Sequence, residues 1–327
     1  MSGKGRHMAY NLDRKMVIGV SSRALFDLTV ENEIFEKQGV EAYCSYQVEH
    51  EQDILKPGPG FGLIKSLLHL NEYSPEQNLV EVIIMSRNSP DSSLRVFNAI
   101  AHYGLDITRS VLVSGASLAP YLEAFHTDLF LSAYEDDVQS AIDNGIAAGI
   151  ICTGQSGDGN TALSGQEKGA AQQRIPIRIA FDGDAVLFTD ESEMIFKEKG
   201  LNAFEENEKI HAKEPLAEGP FAQFLKKLSD LQRELGTKDC PIRTALVTSR
   251  SAPAHERVIR TMRSWNVRVD EAFFLGGLEK RDVLKAFGAQ IFFDDQSVHT
   301  ASAAQAVPAA RVPYRAAEHR CRRVRQA

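Results

Sequence analysis

A long-range self-similarity constrains this chain more than any single motif. Ile34-Phe-Glu-Lys-Gln-Gly-Val-Glu-Ala-Tyr43 matches Ile195-Phe-Lys-Glu-Lys-Gly-Leu-Asn-Ala-Phe204 at an offset of 161 residues, and His50 falls on His211 at the same offset. The segment starting at Ile18 resembles the one starting at Ile179. Ser86–Pro90 matches Ser249–Pro253, offset 163; Val111–Gly115 matches Phe273–Gly277, and Leu129–Ala133 matches Ile291–Asp295, both offset 162. Ordered matches at a near-constant offset read as an internal duplication. The period is too long for a solenoid repeat, so each copy is expected to be a domain. A length of 327 residues fits two such domains.

Both copies alternate short apolar runs with helical stretches. Val82–Met85, Leu246-Val247, Ala272–Leu275 and Ile291–Phe293 read as buried strands. Ser93–Tyr103, Phe221–Leu235, Ala254–Trp265 and Asp282–Phe287 read as helices, with Pro90 and Pro253 near helix starts. This alternation predicts an α/β fold with parallel sheets and helices on both faces. The expected organisation is an N-terminal extension (1–16), an acid-poor first half (17–150), a glycine-rich linker (151–174), a second half (175–305) and an arginine-rich tail (306–327). Ser156–Asn160 lacks the later glutamate of a calcium loop and reads as linker.

Composition excludes several classes. Lys and Arg number 37 against 44 Asp and Glu, a net charge of −7, which argues against a nucleic-acid polymer as partner. No apolar run reaches the roughly 18 residues of a membrane span, and the first residues lack a signal-peptide core. Cys44, Cys152, Cys240 and Cys321 are scattered, without metal-ligand spacing, as in a reducing compartment. The expectation is a soluble cytoplasmic protein without membrane partner, for which assembly into a homo-oligomer stays open.

The copies differ most in their acids. Asp182 and Asp184 replace Ser21 and Arg23; Asp294 and Asp295 replace Ser132 and Ala133; Lys280 stands at Leu118 and Thr248 at Met85. Each lies at or just past an expected strand C-terminus, where open parallel sheets bind ligands. Four carboxylates in one crevice repel unless their pKa values rise or a cation joins them. An all-oxygen set suits a hard ion, most naturally Mg²⁺, which also binds phosphate oxygens. A metal-held carboxylate can attack phosphorus, and a second carboxyl two residues on can protonate the leaving oxygen. A lysine and a threonine hydroxyl can hold the transferring group.

The ordered set Asp182-Gly-Asp184, Thr248, Lys280 and Asp294-Asp295 resembles the four motifs of haloacid-dehalogenase-like phosphatases. More narrowly, Phe181–Glu193, Val247–Ala252 and Ile291–Gln296 resemble the cytosolic type I 5′-nucleotidases, and Ser21–Phe26 and His50 extend the likeness into the first half. The resemblance covers about Val17 to Tyr314. It implies two tandem Rossmann-like halves with a small helical cap at about 190–220. It also implies Mg²⁺-dependent removal of the 5′-phosphate from nucleoside monophosphates, AMP prominently. Carried over, Asp182 is the nucleophile and Asp184 the acid and then base. Thr248, Ser249, Arg250 and Lys280 hold the phosphoryl group. Asp182, Asp184 and Asp295 hold the metal, with Asp294 in support. The alternatives are a phosphatase for another small phosphomonoester, or a nucleotide-binding regulatory protein with little turnover.

The first half offers Ser21, Arg23, Arg87 and Asn88 at its strand ends, donors without a carboxylate. They suit a bound anion or effector. A half retained for packing is the competing reading. His211, matched by His50 in the acid-poor copy, reads as structural.

Overall fold

The structure is a computed structural model that describes residues 11–12, 14–74, 78–152, 176–236 and 240–314. Most of the expected extension, the linker beyond Cys152 and the tail from residue 315 lie outside the described residues. The first half contributes strands β1 (Met16–Val20), β2 (Val80–Ser86), β3 (Arg109–Leu112), β4 (Leu129–Ser132) and β5 (Ala147–Ile151). The second contributes β6 (Ile177–Phe181), β7 (Ile242–Thr248), β8 (Glu271–Phe274), β9 (Ile291–Asp294) and β10 (Ala309–Arg311). Helices of the first half are α1 (Ser22–Leu25), α2 (Thr29–Gln38), α3 (Val40–Glu49), α4 (Phe61–His69), α5 (Leu94–His102), α6 (Ala119–Ala124) and α7 (Glu135–Asp143). Those of the second are α8 (Glu191–Ile210), α9 (Ala222–Glu234), α10 (His255–Ser264), α11 (Arg281–Phe287) and α12 (Ser297–Ala303).

The strands form one ten-stranded sheet in the order β3-β2-β1-β4-β5-β10-β9-β6-β7-β8. From the middle outward, the second half repeats the order of the first. Every pairing within a half is parallel, and the halves meet through the antiparallel pair β5–β10. The sequence suggests separate sheets; the structure joins them, because Ala309–Arg311, inside the stretch read as a tail, adds a strand beside β9. Gly149 permits this junction, since a Cβ there would lie 2.9 Å from the Ala310 Cβ. β1, β2, β4 and β9 are buried along their whole length, as parallel strands covered on both faces should be. One apolar core runs through both halves, from Val20 and Ile84 to Phe181, Phe221 and Phe293.

After β1 and after β6 the chain makes the same excursion. A short turn leads to an antiparallel bridge, Phe26 to Pro57 in one half and Phe188 to Glu218 in the other. Gly58 and Gly219 press against the Phe26 and Phe188 backbones, where a Cβ would approach to 2.8 and 2.3 Å. Between turn and bridge lies a helical pair, α2–α3 or α8, broken at Gly39 and Gly200 with φ of +88° and +79°. The break folds α8 back on itself: Ser192 Oγ donates to Glu208 Oε1 at 2.9 Å, whereas 16 residues of straight helix would separate them by about 24 Å. This hairpin occupies the position expected for a cap. His50 and His211 end the two hairpins alike, each Nδ1 lying 2.9 Å from a carbonyl oxygen four residues back.

Candidate active site

The acids gather where β6, β7 and β9 end. Asp182 comes directly after the last residue of β6, and its Oδ1 accepts a bond from the Gly183 amide at 2.7 Å. A wide single turn, Gly183–Leu187, carries Asp184 away from the strand and holds Ala185 at a φ of +59°. Space at Gly183 is tight: a Cβ would lie 3.2 Å from Thr248 Oγ1 and 3.3 Å from the Phe188 ring. Thr248 ends β7, almost fully buried, and its Oγ1 accepts from the Arg250 amide at 3.2 Å. Lys280 precedes α11, and Asp294 closes β9.

Lys280 is the centre of charge. Its Nζ lies 2.9 Å from Asp182 Oδ2 and donates to Asp294 Oδ2 at 2.6 Å. Burial opposes the ammonium, but Asp182 and Asp294 raise its pKa. Burial pushes Asp182 up to about 7, with Asp294 adding to the rise and Lys280 opposing it. Asp294 behaves oppositely: burial works to raise it, yet His299 and Lys280 hold it below the usual carboxylate range.

Asp182, Asp294 and His299 each bring one ligand atom within 4.8 Å of the others. Like Asp182, whose oxygens meet the Gly183 amide and Lys280, Asp294 is already bonded at both oxygens, and it is the more deeply buried of the two. Its Oδ2 is taken by Lys280 and lies 3.2 Å from His299 Nδ1, and its Oδ1 accepts from the Gln296 amide at 2.8 Å. Asp295 differs, because its Oδ1 is buried with no hydrogen-bond partner. Burial, then Asp294, Glu193 and Asp182, push its carboxyl up to about 8. A buried, unpartnered carboxylate oxygen beside other acids fits a hard cation, which would relieve both desolvation and repulsion. The residues therefore fit a divalent metal among Asp182, Asp294 and Asp295.

Arg250 does not face an open crevice. Its Nε and Nη2 donate to the two Asp184 oxygens at 2.8 and 2.6 Å, and Nη1 donates to Glu208 Oε2 at 2.5 Å. Despite burial, which opposes it, these carboxylates raise its pKa. Glu208 is fully buried and also accepts from Arg257 at 2.9 Å. Sequence reasoning misses Glu208 and Arg257 in this cluster, and His299 beside Asp294. A signal exists for Glu208, which stands one helical turn after the buried Phe204 and so shares its inward face. Ser249 is exposed and lines, with Lys280 and His299, a cavity of about 310 Å³.

In the first half Ser21 caps α1, accepting from the Ala24 amide at 3.2 Å. Arg87 is engaged by the buried carboxylate of Asp137, through Nε at 2.9 Å and Nη2 at 2.6 Å. The Arg23 guanidinium lies 5.7 Å from the centroid of the Tyr134 ring. The Asn88 amide donates to Ser86 Oγ at 3.2 Å, the bond that Arg250 makes to Thr248. Strand pairing agrees, with Ser86 opposite Leu112 and Thr248 opposite Phe274. The structural counterpart of Thr248 is thus Ser86 and not Met85, and that of Arg250 is Asn88.

A family model described as 5′-nucleotidase matches residues 8–319. Among curated proteins, human cytosolic 5′-nucleotidase 1B is 39% identical over 294 residues, covering 87% of this chain and 46% of the relative. The chain therefore spans about half the length of the relative it matches. No helix among the described residues is long and apolar enough to cross a membrane. A match over nearly the whole sequence, on a ten-stranded α/β sheet with acids gathered at the ends of β6 and β9, places the chain in the 5′-nucleotidase family.

Proposed function

We propose that the protein is a Mg²⁺-dependent 5′-nucleotidase that hydrolyses nucleoside 5′-monophosphates, AMP among them, through an aspartyl-phosphate. The observation that carries this reading is the buried cluster of Asp182, Lys280 and Asp294 at the strand ends, with the unpartnered Oδ1 of Asp295 beside it. The Asp182 carboxylate attacks phosphorus, and the bond to the 5′-oxygen breaks. Asp184 gives that oxygen its proton. Asp184 then takes a proton from the water that hydrolyses the acyl phosphate, which returns Asp182 to a free carboxylate and releases phosphate.

Lys280 and Thr248 hold the phosphoryl oxygens, joined by Ser249, which shares a cavity with Lys280. Arg250 positions Asp184; its own donors are spent on Asp184 and Glu208. Asp294 orients Lys280. Asp182, Asp295 and the backbone at Asp184 would hold Mg²⁺, which when bound supplies positive charge against the phosphate. We also infer, from the cytosolic relative, a cytoplasmic location.

The test is phosphate release from a panel of nucleoside monophosphates and sugar phosphates, with Mg²⁺ and with EDTA. Mg²⁺-dependent release from AMP or its relatives above the sugar phosphates is expected. Release only from sugar phosphates would keep the catalytic assignment and discard the nucleotide. No release from any, by folded protein that binds Mg²⁺, would favour a binding protein.

A further inference from the structure

The register of the central strands brings the two halves' strand ends together. Ser132, Ile150, Arg311 and Asp294 lie on one row across β4, β5, β10 and β9. Ser132 and Asp294 are the last residues of their strands, so the two ends stand three strand spacings apart, roughly 14 Å. Because β5 and β10 are antiparallel, β4 and β9 reach this row from opposite edges of the sheet; helix α7 follows β4, and Asp295 follows β9. Between them is a cavity of about 440 Å³, within the range of small-ligand sites.

Its walls come from both halves. Glu135 and Gln139 of α7 form one side, Met194 and Lys197 of the α8 hairpin another, and Asp295 lies at the catalytic end. Tyr314, just beyond β10, completes it. Arg311 Nη2 donates to Glu135 Oε1 at 2.7 Å, fastening the first-half wall to the second half. The other cavity beside the site, which contains Ser249 and Lys280, takes residues from the second half alone and none from the α8 hairpin.

We propose that the inter-half cavity binds the nucleoside part of the substrate, with the first half supplying one wall. This rests on the nucleotidase reading. Three features assign the leaving group to this side. Ala185, next to the acid Asp184, lines this cavity and not the other. Asp295, whose Oδ1 has no hydrogen-bond partner, lines it. Its lining joins the Tyr314 ring and the Met194 side chain, which suit the face of a base, to carboxylates that accept from ribose hydroxyls. The second half then holds all the reacting groups and is still an incomplete site.

The test compares specificity constants for AMP and for glycerol phosphate, which has no base or ribose. In Gln139→Ala and in Tyr314→Ala the AMP to glycerol phosphate ratio should fall about ten-fold, the size of one lost polar or packing contact. A ratio unchanged in both variants, folded by circular dichroism, would overturn the proposal. Wild-type protein provides a second route that no folding defect can confound. Adenosine should slow amide exchange in α7 and around Arg311; protection confined to residues 277–281 would overturn the assignment. Wild-type protein that releases no phosphate from nucleotides defeats the functional reading instead, so the two failures are distinct.

Discussion

The two halves share a scaffold and differ in what their strand ends carry. The same bonds recur: Ser86 and Thr248 each accept from the amide two residues on, and so do Ser132 and Asp294. Beneath the hairpins, Arg95 binds Glu31 at 2.6 Å and Gln47 at 3.3 Å, while Arg257 binds Glu208, 161 residues from Gln47. A duplication is the origin we propose for this symmetry. A hydroxyl serves the backbone at both positions in the first half, and in the second half a hydroxyl serves at one and a carboxylate at the other, so the fold accommodates either. Only the aspartates, with Lys280 among them, create the charge that the proposed phosphoryl transfer needs. Chemistry thus resides in a few side chains on a scaffold that does not demand them.

Substitutions at matched positions sharpen this contrast. The largest effect is expected for Asp182→Asn, a fall in turnover of at least about 10⁴-fold in a folded protein, as for other lost nucleophiles. Phosphate release together with circular dichroism checks it. Glu208→Ala should cost about 3 kcal/mol, because buried Arg250 and partly buried Arg257 would each lose a carboxylate partner, Arg250 keeping only Asp184. Thermal melts should fall on the order of 10 °C, and turnover should drop as Asp184 loses its fixed partner. Arg95→Ala should also lower the melting temperature while leaving kcat unchanged; a loss of kcat there would break the division between the halves.

Magnesium at a hundred times its Kd should stabilise the wild type by about 2.7 kcal/mol, and Asp295→Asn should remove most of that shift in calorimetry. The smallest effect belongs to Ser21→Ala, the counterpart of Asp182. It should cost only the roughly 1 kcal/mol of a helix cap, read by denaturant melts, with normal activity. The paired change Arg23→Ala and Arg87→Ala separates an effector site from packing. An altered response to added nucleotides supports the former, and an unchanged response in folded protein supports the latter.

Much of this is legible in the sequence, because parallel strands announce themselves as apolar runs and because the repeat aligns the acids with their replacements. Asp182, Lys280, Asp294 and Asp295 stand out that way, and the structure brings them together. Two features are not legible. The three-residue strand Ala309–Arg311 is too short to show a period, and only its partners β5 and β9 define it. Arg250 reads as an anion donor because its partners, Asp184 and Glu208, lie 66 and 42 residues away in the chain. Contacts at that separation exist only after folding.

The most direct test of the central claim is to trap the intermediate. Protein turning over AMP with Mg²⁺ would be quenched in acid, digested and mapped by mass spectrometry. The account predicts phosphate on the peptide carrying Asp182, absent in Asp182→Asn. Phosphate on a different residue, or full turnover by Asp182→Asn, would contradict it.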